Sequence, residues 1–255
     1  MGVLSNLEPA SVFYYFEEIC GIPHTSHHEK ALSDYCVQFA KAHGLACRQD
    51  EMGNVLIKAP ATPGYEKEPG LILQGHLDMV GDKTADCPLD LEKDAIHPVV
   101  DGGYVCAEGT TLGGDDGIAV AYALAVLDAK DIPHPALEVV LTVCEEVGLL
   151  GASAMDFSDL EGRILVNIDS EEEGVLTAGC APMGAAAASS ASSLSARSEI
   201  SCVTCERGRE NTVPSGSTGV ESAGAAWAGA AVAAAGASVM VADLFSSSII
   251  DGSPS

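Results

Sequence analysis

Three short apolar segments in the first 180 residues are each followed closely by an ionisable side chain. The segments are 71–73, 137–143 and 163–168, and the side chains are His76, Glu145 and Asp169. Apolar runs of this length predict buried strands. Parallel sheets bind ligands at the carboxyl ends of their strands. We therefore expect these three side chains to meet at one edge of a sheet.

Helical patterns separate the predicted strands. Helices are expected over 8–20, from a capping Ser26 to Gly44, over 117–129 and over 149–155. Segments 46–50 and 54–59 predict a hairpin, and the polar stretch 82–110 predicts an excursion with short strands. Alternation of strands with helices predicts an α/β fold, a layered αβα domain with a largely parallel sheet.

The composition of the chain changes near residue 180. Residues 181–255 contain 18 Ala and 16 Ser, with few large apolar side chains and no strand alternation. We therefore expect two parts, a folded domain over 1–180 and a tail over 181–255 that is disordered or marginally helical.

Charge and cysteine content exclude several classes of protein. The formal net charge is −25, which disfavours binding to nucleic acid or to anionic membranes. The uncharged run 222–242 is long enough to cross a bilayer, but it is mostly Ala and Gly, so a membrane span is disfavoured. Nine scattered cysteines and an N-terminus without a secretory pattern predict a cytoplasmic protein with reduced thiols.

Two motifs carry further candidate ligands. In QGHLDMV, His76 and Asp78 lie two residues apart at a strand end, so their side chains share one side, and Asp78 can fix the imidazole tautomer. An ordinary polar contact is the alternative. In LGGDDG, glycines let the chain approach an ion, and we favour metal bridging for Asp115 and helix capping for Asp116.

The CEEVG motif places two carboxylates directly after a predicted strand. One of Glu145 and Glu146 could bind a cation while the other accepts and releases a proton. The alternative is a solvated acidic turn. Asp169 is the next acid placed after a strand, whereas the run 171–173 is expected to be a solvated stretch of charge.

These motifs together resemble the M20 family of co-catalytic metallopeptidases, in particular its aminoacyl-histidine (Xaa-His) dipeptidase branch. The resemblance covers about residues 5–180 and includes SHHEKALSDYCVQFAKAHGL, TLGGDDGIA, CEEVGLLGA and NIDSEEEG. It implies a zinc-peptidase-like fold and the following roles for six residues. His76 and Asp169 would be terminal ligands of one zinc, Asp115 would bridge, Glu146 would bind the second zinc, Glu145 would be the general acid/base, and Asp78 would orient His76.

The resemblance also implies cofactors, a substrate and a backbone feature. The family uses two Zn²⁺, for which Co²⁺ or Mn²⁺ could substitute, and hydrolyses small dipeptides. The peptide bond between Asp115 and Asp116 is expected to be cis, as is common after the bridging carboxylate of such enzymes.

The resemblance ends near residue 180, before the family's lid domain and the late histidine that binds the second zinc. No histidine follows His134. We therefore expect a frameshifted or truncated product, or else a divergent tail, without the lid and without the homodimer interface that the lid forms in the family. The expected function is a metal-dependent Xaa-His dipeptidase with weak or single-metal binding and reduced activity. The alternatives are a non-catalytic fragment that binds at most one metal, and one half of a split enzyme.

Overall fold

A mixed sheet flanked by helices organises the chain, as seen in a computed structural model that describes residues 2–170, 176–178 and 201–206. The elements, in chain order, are α1 (Ala10–Cys20), α2 (Lys30–Ala42), β1 (Ala46–Gln49), β2 (Val55–Ala59), β3 (Leu71–His76), β4 (Pro98–Asp101), β5 (Tyr104–Ala107), α3 (Gly114–Asp128), β6 (Leu137–Thr142), α4 (Leu150–Ala154), β7 (Ile164–Ser170), β8 (Leu176–Ala178) and β9 (Ser201–Glu206).

Within these residues the main sheet has the strand order β1-β2-β6-β3-β7-β9-β8, and β4 pairs with β5 in a separate hairpin. Strand β3 is parallel to β6 and to β7, and β7 is parallel to β9. The β1–β2 hairpin joins β6 antiparallel, and β8 joins β9 antiparallel. The predicted α/β class is confirmed, with parallel strands at the centre of the sheet and antiparallel strands at its edges.

Apolar side chains fill both faces of the sheet. Successive side chains of strands β2, β3 and β6 point to opposite faces of the sheet. Ile57, Leu73 and Val139 face the main core, to which helices α1, α2 and α3 also contribute. On the opposite face a smaller cluster joins β2, β3 and β6 to the segment after α4. Its members are Leu56, Ile72, Val140 and Met155, with Phe157, Leu160 and Leu165 packed beside them.

Helix α3 approaches β3 very closely at Gly75. A Cβ atom added at Gly75 would lie 2.8 Å from Oδ2 of Asp116 and 3.0 Å from Cβ of Ala119. The missing side chain therefore lets the first turn of α3 lie against the carboxyl end of β3. This contact brings the carboxyl end of β3 next to the amino end of α3.

Two predicted helix caps are wrong, because both side chains bond to distant groups instead. Helix α2 begins at Lys30 with Glu29 as its N-cap, and Ser26 Oγ donates a hydrogen bond to Oδ2 of Asp78 at 2.8 Å. Asp116 does not cap α3, whose N-cap is Gly113. Its buried carboxylate accepts the main-chain N–H of His76 at 3.0 Å.

Most of the predictions for the tail lie outside the described residues. These include the charge run 171–173, the uncharged run 222–242 and the greater part of 181–255. Strand β9 differs from the expectation of a tail without strands, since its main chain pairs in parallel with β7. Its sequence SCVTCE contains β-branched residue types, which favour strands. Among the described helices, none combines the length and the apolar character needed to cross a membrane.

The contact at Gly75 generates a stability prediction. We expect Gly75→Ala to lower the free energy of unfolding by about 1–3 kcal/mol, because the added methyl group overlaps Asp116 and Ala119. Urea denaturation measures this change. Gly114→Ala is the control, since its added Cβ would meet only Leu112 Cδ2 at 3.9 Å. Equal stability of the two variants would show that the approach of α3 to β3 is not tight.

Candidate metal centre

The candidate ligands lie where several elements end or begin on one edge of the sheet. His76 is the last residue of β3, and Asp169 lies near the end of β7. Glu145 and Glu146 follow β6, and Asp115 lies in a non-helical turn at the start of α3, where its peptide bond to the next residue is cis as expected. The order of strands β6, β3 and β7 in the sheet places these segments side by side.

Three of these residues form a compact group of potential ligands. His76, Asp115 and Glu146 each offer one ligand atom, and these atoms all lie within 4.8 Å of one another. His76 Nε2 lies 3.1 Å from Oδ1 of Asp115. The histidine is buried whereas both acids are exposed, so an ion could enter from solvent. One imidazole with carboxylates is a donor set that fits Zn²⁺, and also Co²⁺ or Mn²⁺.

The main chain of Asp78 sets the orientation of the His76 ring. Nδ1 of His76 lies 2.8 Å from the carbonyl oxygen of Asp78 and 3.6 Å from its Oδ1. Because a carbonyl only accepts, Nδ1 carries the proton, and Nε2 faces Asp115 as a potential ligand. That the carboxylate of Asp78 orients His76 stays a prediction, since its carbonyl is the nearer acceptor.

The carboxylate of Asp78 has other partners, which the motif alone did not indicate. Oδ1 accepts the main-chain N–H of Glu145 at 2.8 Å, and Oδ2 accepts that of Glu146 at 3.1 Å. The hydroxyl of Ser26 adds a third hydrogen bond. Asp78 is only 1% exposed, so a carboxylate that is costly to bury is compensated by these donors. It fixes the turn that carries both glutamates.

Negative charge accumulates around one imidazole. Burial is the largest single influence on His76 and opposes its charged form. The surrounding carboxylates, Asp115 and Asp78 first, together outweigh burial and raise the pKa of His76 to about 12. Burial also raises the pKa of Glu145 and of Glu146, against the lowering effect of His76. A bound cation would relieve this repulsion among acids.

Glu145 and Asp169 complete the surroundings of His76. Oε2 of Glu145 lies 3.9 Å from Nε2 of His76, and its side chain is partly buried. Burial raises the pKa of Asp169, which also interacts electrostatically with His76 and Asp115. Both residues therefore belong to the same charged cluster. The roles that the resemblance implies for all six site residues, His76 included, stay predictions.

The chain is similar to known peptidases over about 180 residues. It is 48% identical over 181 residues to the cytosol non-specific dipeptidase of Escherichia coli (strain K12), covering 71% of this chain and 37% of that protein. No protein-family model matches the sequence.

The chain is also similar to solved structures of peptidases. The aminoacylhistidine dipeptidase from Vibrio alginolyticus matches at 48% identity with a TM-score of 0.67, over 69% of this chain and 36% of the other. A tripeptidase from Staphylococcus aureus matches at 25% identity and a TM-score of 0.55, over 66% and 46% of the two chains. The chain therefore spans about a third of the length of its dipeptidase relatives.

The hydrogen bonds of Asp78 generate a prediction about metal affinity. We expect Asp78→Asn to weaken Co²⁺ binding by about 10–100-fold, because an amide cannot accept all three donors and the glutamate turn loosens. Isothermal titration calorimetry measures the affinity. Asp82→Asn, an equal loss of charge on an exposed residue nearby, should leave it unchanged. Equal Co²⁺ affinities of Asp78→Asn and Asp82→Asn would contradict this role of Asp78.

Proposed function

We propose that this chain builds a divalent-metal centre for peptide hydrolysis. The proposal proceeds from its family, since the chain belongs to the M20 family of metallopeptidases and to its aminoacyl-histidine dipeptidase branch. The observation that carries the proposal is the group formed by His76, Asp115 and Glu146 at the carboxyl edge of the central strands. These are residues that the family resemblance assigns to metal binding, and they come from the end of β3, the start of α3 and the turn after β6.

The proposed substrates are dipeptides, with Xaa-His dipeptides as the preferred class. The names of the two dipeptidase relatives differ on this point, one being non-specific and the other an aminoacylhistidine dipeptidase. We also propose a cytoplasmic location, which the name of the Escherichia coli relative supports.

The proposed metal ligands are His76, Asp115, Glu146 and Asp169, with Zn²⁺ as the ion and Co²⁺ or Mn²⁺ as substitutes. The buried imidazole of His76 is held through its Nδ1, so its Nε2 would be available to a bound ion. A divalent ion held there supplies Lewis acidity that activates water and polarises a carbonyl group. The resemblance suggests two ions, whereas the compact group of three ligand atoms suits one.

Glu145 is the proposed general base and acid. Its partly buried carboxylate has a raised pKa, which brings it closer to the range in which a group both accepts and releases protons. Asp78 accepts the main-chain N–H of Glu145, which fixes the backbone from which the Glu145 side chain extends toward His76. Glu145 would take a proton from the attacking water and pass it to the leaving amine.

A second candidate is a metal-binding part that hydrolyses peptides only together with further polypeptide. It is favoured by the coverage, since this chain spans 37% of the length of the Escherichia coli relative. In that case the centre would bind an ion without turnover of dipeptides by the isolated chain.

Metal binding and turnover, measured together, test the proposal. The purified chain should bind Co²⁺, and His76→Ala should lose most of that binding. Glu145→Gln should bind Co²⁺ nearly as the unchanged chain does but lower any dipeptide hydrolysis by about 10²–10⁴-fold, the contribution of a general base. A panel of dipeptides with and without C-terminal His decides the substrate preference.

Three results separate the candidates. Turnover that Glu145→Gln abolishes supports the peptidase. Binding of Co²⁺ without turnover supports the metal-binding part. An unchanged Co²⁺ affinity in His76→Ala, or full activity in Glu145→Gln, contradicts the assigned centre.

A further inference from the structure

Glu29 is a buried carboxylate that belongs to no metal-site motif, yet it bonds to the residue that precedes the two site glutamates. It lies at the N-cap of α2 and is 4% exposed. Its Oε1 accepts the main-chain N–H of Cys144 at 2.9 Å and is also 3.3 Å from the donating Sγ of Cys144. Two donors of one residue therefore converge on one oxygen.

Cys144 has a backbone conformation that needs such support. Its φ is +52°, in the left-handed region that residues with a side chain rarely adopt. The thiol is buried and also lies 3.4 Å from Nδ1 of His27. The hydrogen bonds to Glu29 hold both the main chain and the side chain of Cys144 in this conformation.

Glu29 and Asp78 together bind three consecutive main-chain N–H groups. Glu29 accepts the N–H of Cys144, and Asp78 accepts those of Glu145 and Glu146. The left-handed residue turns the chain at the end of β6, so the two glutamates that follow leave the strand toward His76. The direction of their side chains therefore depends on two buried carboxylates from separate elements.

We propose that Glu29 is a positioning residue of the metal centre, which acts through Cys144 to direct the side chains of Glu145 and Glu146. The proposal rests on the proposed function, since it assigns these glutamates to metal binding and proton transfer. Glu29 is not a member of the group of candidate ligands. Its effect is to hold the turn in one conformation before metal binds, which reduces the cost of organising the site.

Glu138 provides a matched control in the same sheet. It is likewise 4% exposed, and its carboxylate accepts the main-chain N–H groups of Glu161 and Gly162. It lies near the start of β6, whereas Cys144 lies just beyond the end of that strand. Loss of either carboxylate leaves main-chain N–H groups without their acceptor, and loss of Glu138 also removes its ion pair with Lys58 at 2.7 Å. Glu138→Ala should therefore lower stability at least as much as Glu29→Ala.

The experiment compares Glu29→Ala, Glu29→Gln and Glu138→Ala by hydrogen exchange in the metal-free chain and by Co²⁺ titration with visible absorption spectra. Glu29→Ala should raise amide exchange over residues 144–146 by about tenfold or more, since the turn opens locally. It should also weaken Co²⁺ binding by about 10–100-fold and alter the Co²⁺ spectrum. Glu29→Gln keeps an acceptor oxygen and should restore most of both properties. Glu138→Ala should change neither.

The outcomes distinguish this proposal from the function on which it rests. Exchange and Co²⁺ spectra in Glu29→Ala that match those of Glu138→Ala would overturn the positioning role. If the unchanged chain binds no Co²⁺ but Glu29→Ala still raises exchange at 144–146, the metal function fails while the anchoring of the turn stands. Should Glu29→Ala not fold, Glu29→Asp shortens the side chain and withdraws the acceptor oxygen from both donors of Cys144. Unchanged amide exchange over residues 144–146 in Glu29→Asp would overturn the proposal.

Discussion

The geometry of the site depends on the hydrogen bonds that the buried carboxylate of Asp78 accepts. Asp78 lies just beyond β3, and it accepts the N–H groups of Glu145 and Glu146 beyond β6 and the hydroxyl of Ser26 before α2. A carboxylate removed from water is stable only when donors replace the lost hydration. The requirement to satisfy Asp78 therefore draws three separate segments to one point. The same residue fixes the His76 ring through its carbonyl oxygen.

A charged cluster follows from this arrangement. Each candidate ligand lies at the end of a strand or the start of a helix, so the folded chain brings the acids together without an ion. Burial, together with their mutual repulsion, raises the pKa of Glu145, Glu146 and Asp169. Repulsion among these acids lowers the local stability of the fold, and a bound divalent cation would neutralise it. Such locally unfavourable clusters of charge are common at functional sites.

The local pattern of the sequence predicted most of the elements and named candidate ligands that the fold brings together, but not the bonds that fix them. Apolar runs followed by His76, Glu145 and Asp169 indicated strands with polar ends, and the sheet has that form. Ser26 and Asp116 were predicted as helix caps because their residue types suit caps. Their actual partners lie 52 and 40 residues away. Glu29 was missed because Cys144 lies 115 residues from it. Nothing in a local pattern reports such a separation.

The coordination shell of the bound ion tests the central claim most directly. We expect X-ray absorption at the zinc edge of the metal-loaded chain to show one imidazole nitrogen and otherwise oxygen ligands, at about 2.0–2.2 Å, because His76 and carboxylates are the donors brought together. A shell that contains sulfur would point to cysteine ligands such as Cys144, and a shell without imidazole would exclude His76. Either result would contradict the assignment of the metal centre to the carboxyl edge of the central strands.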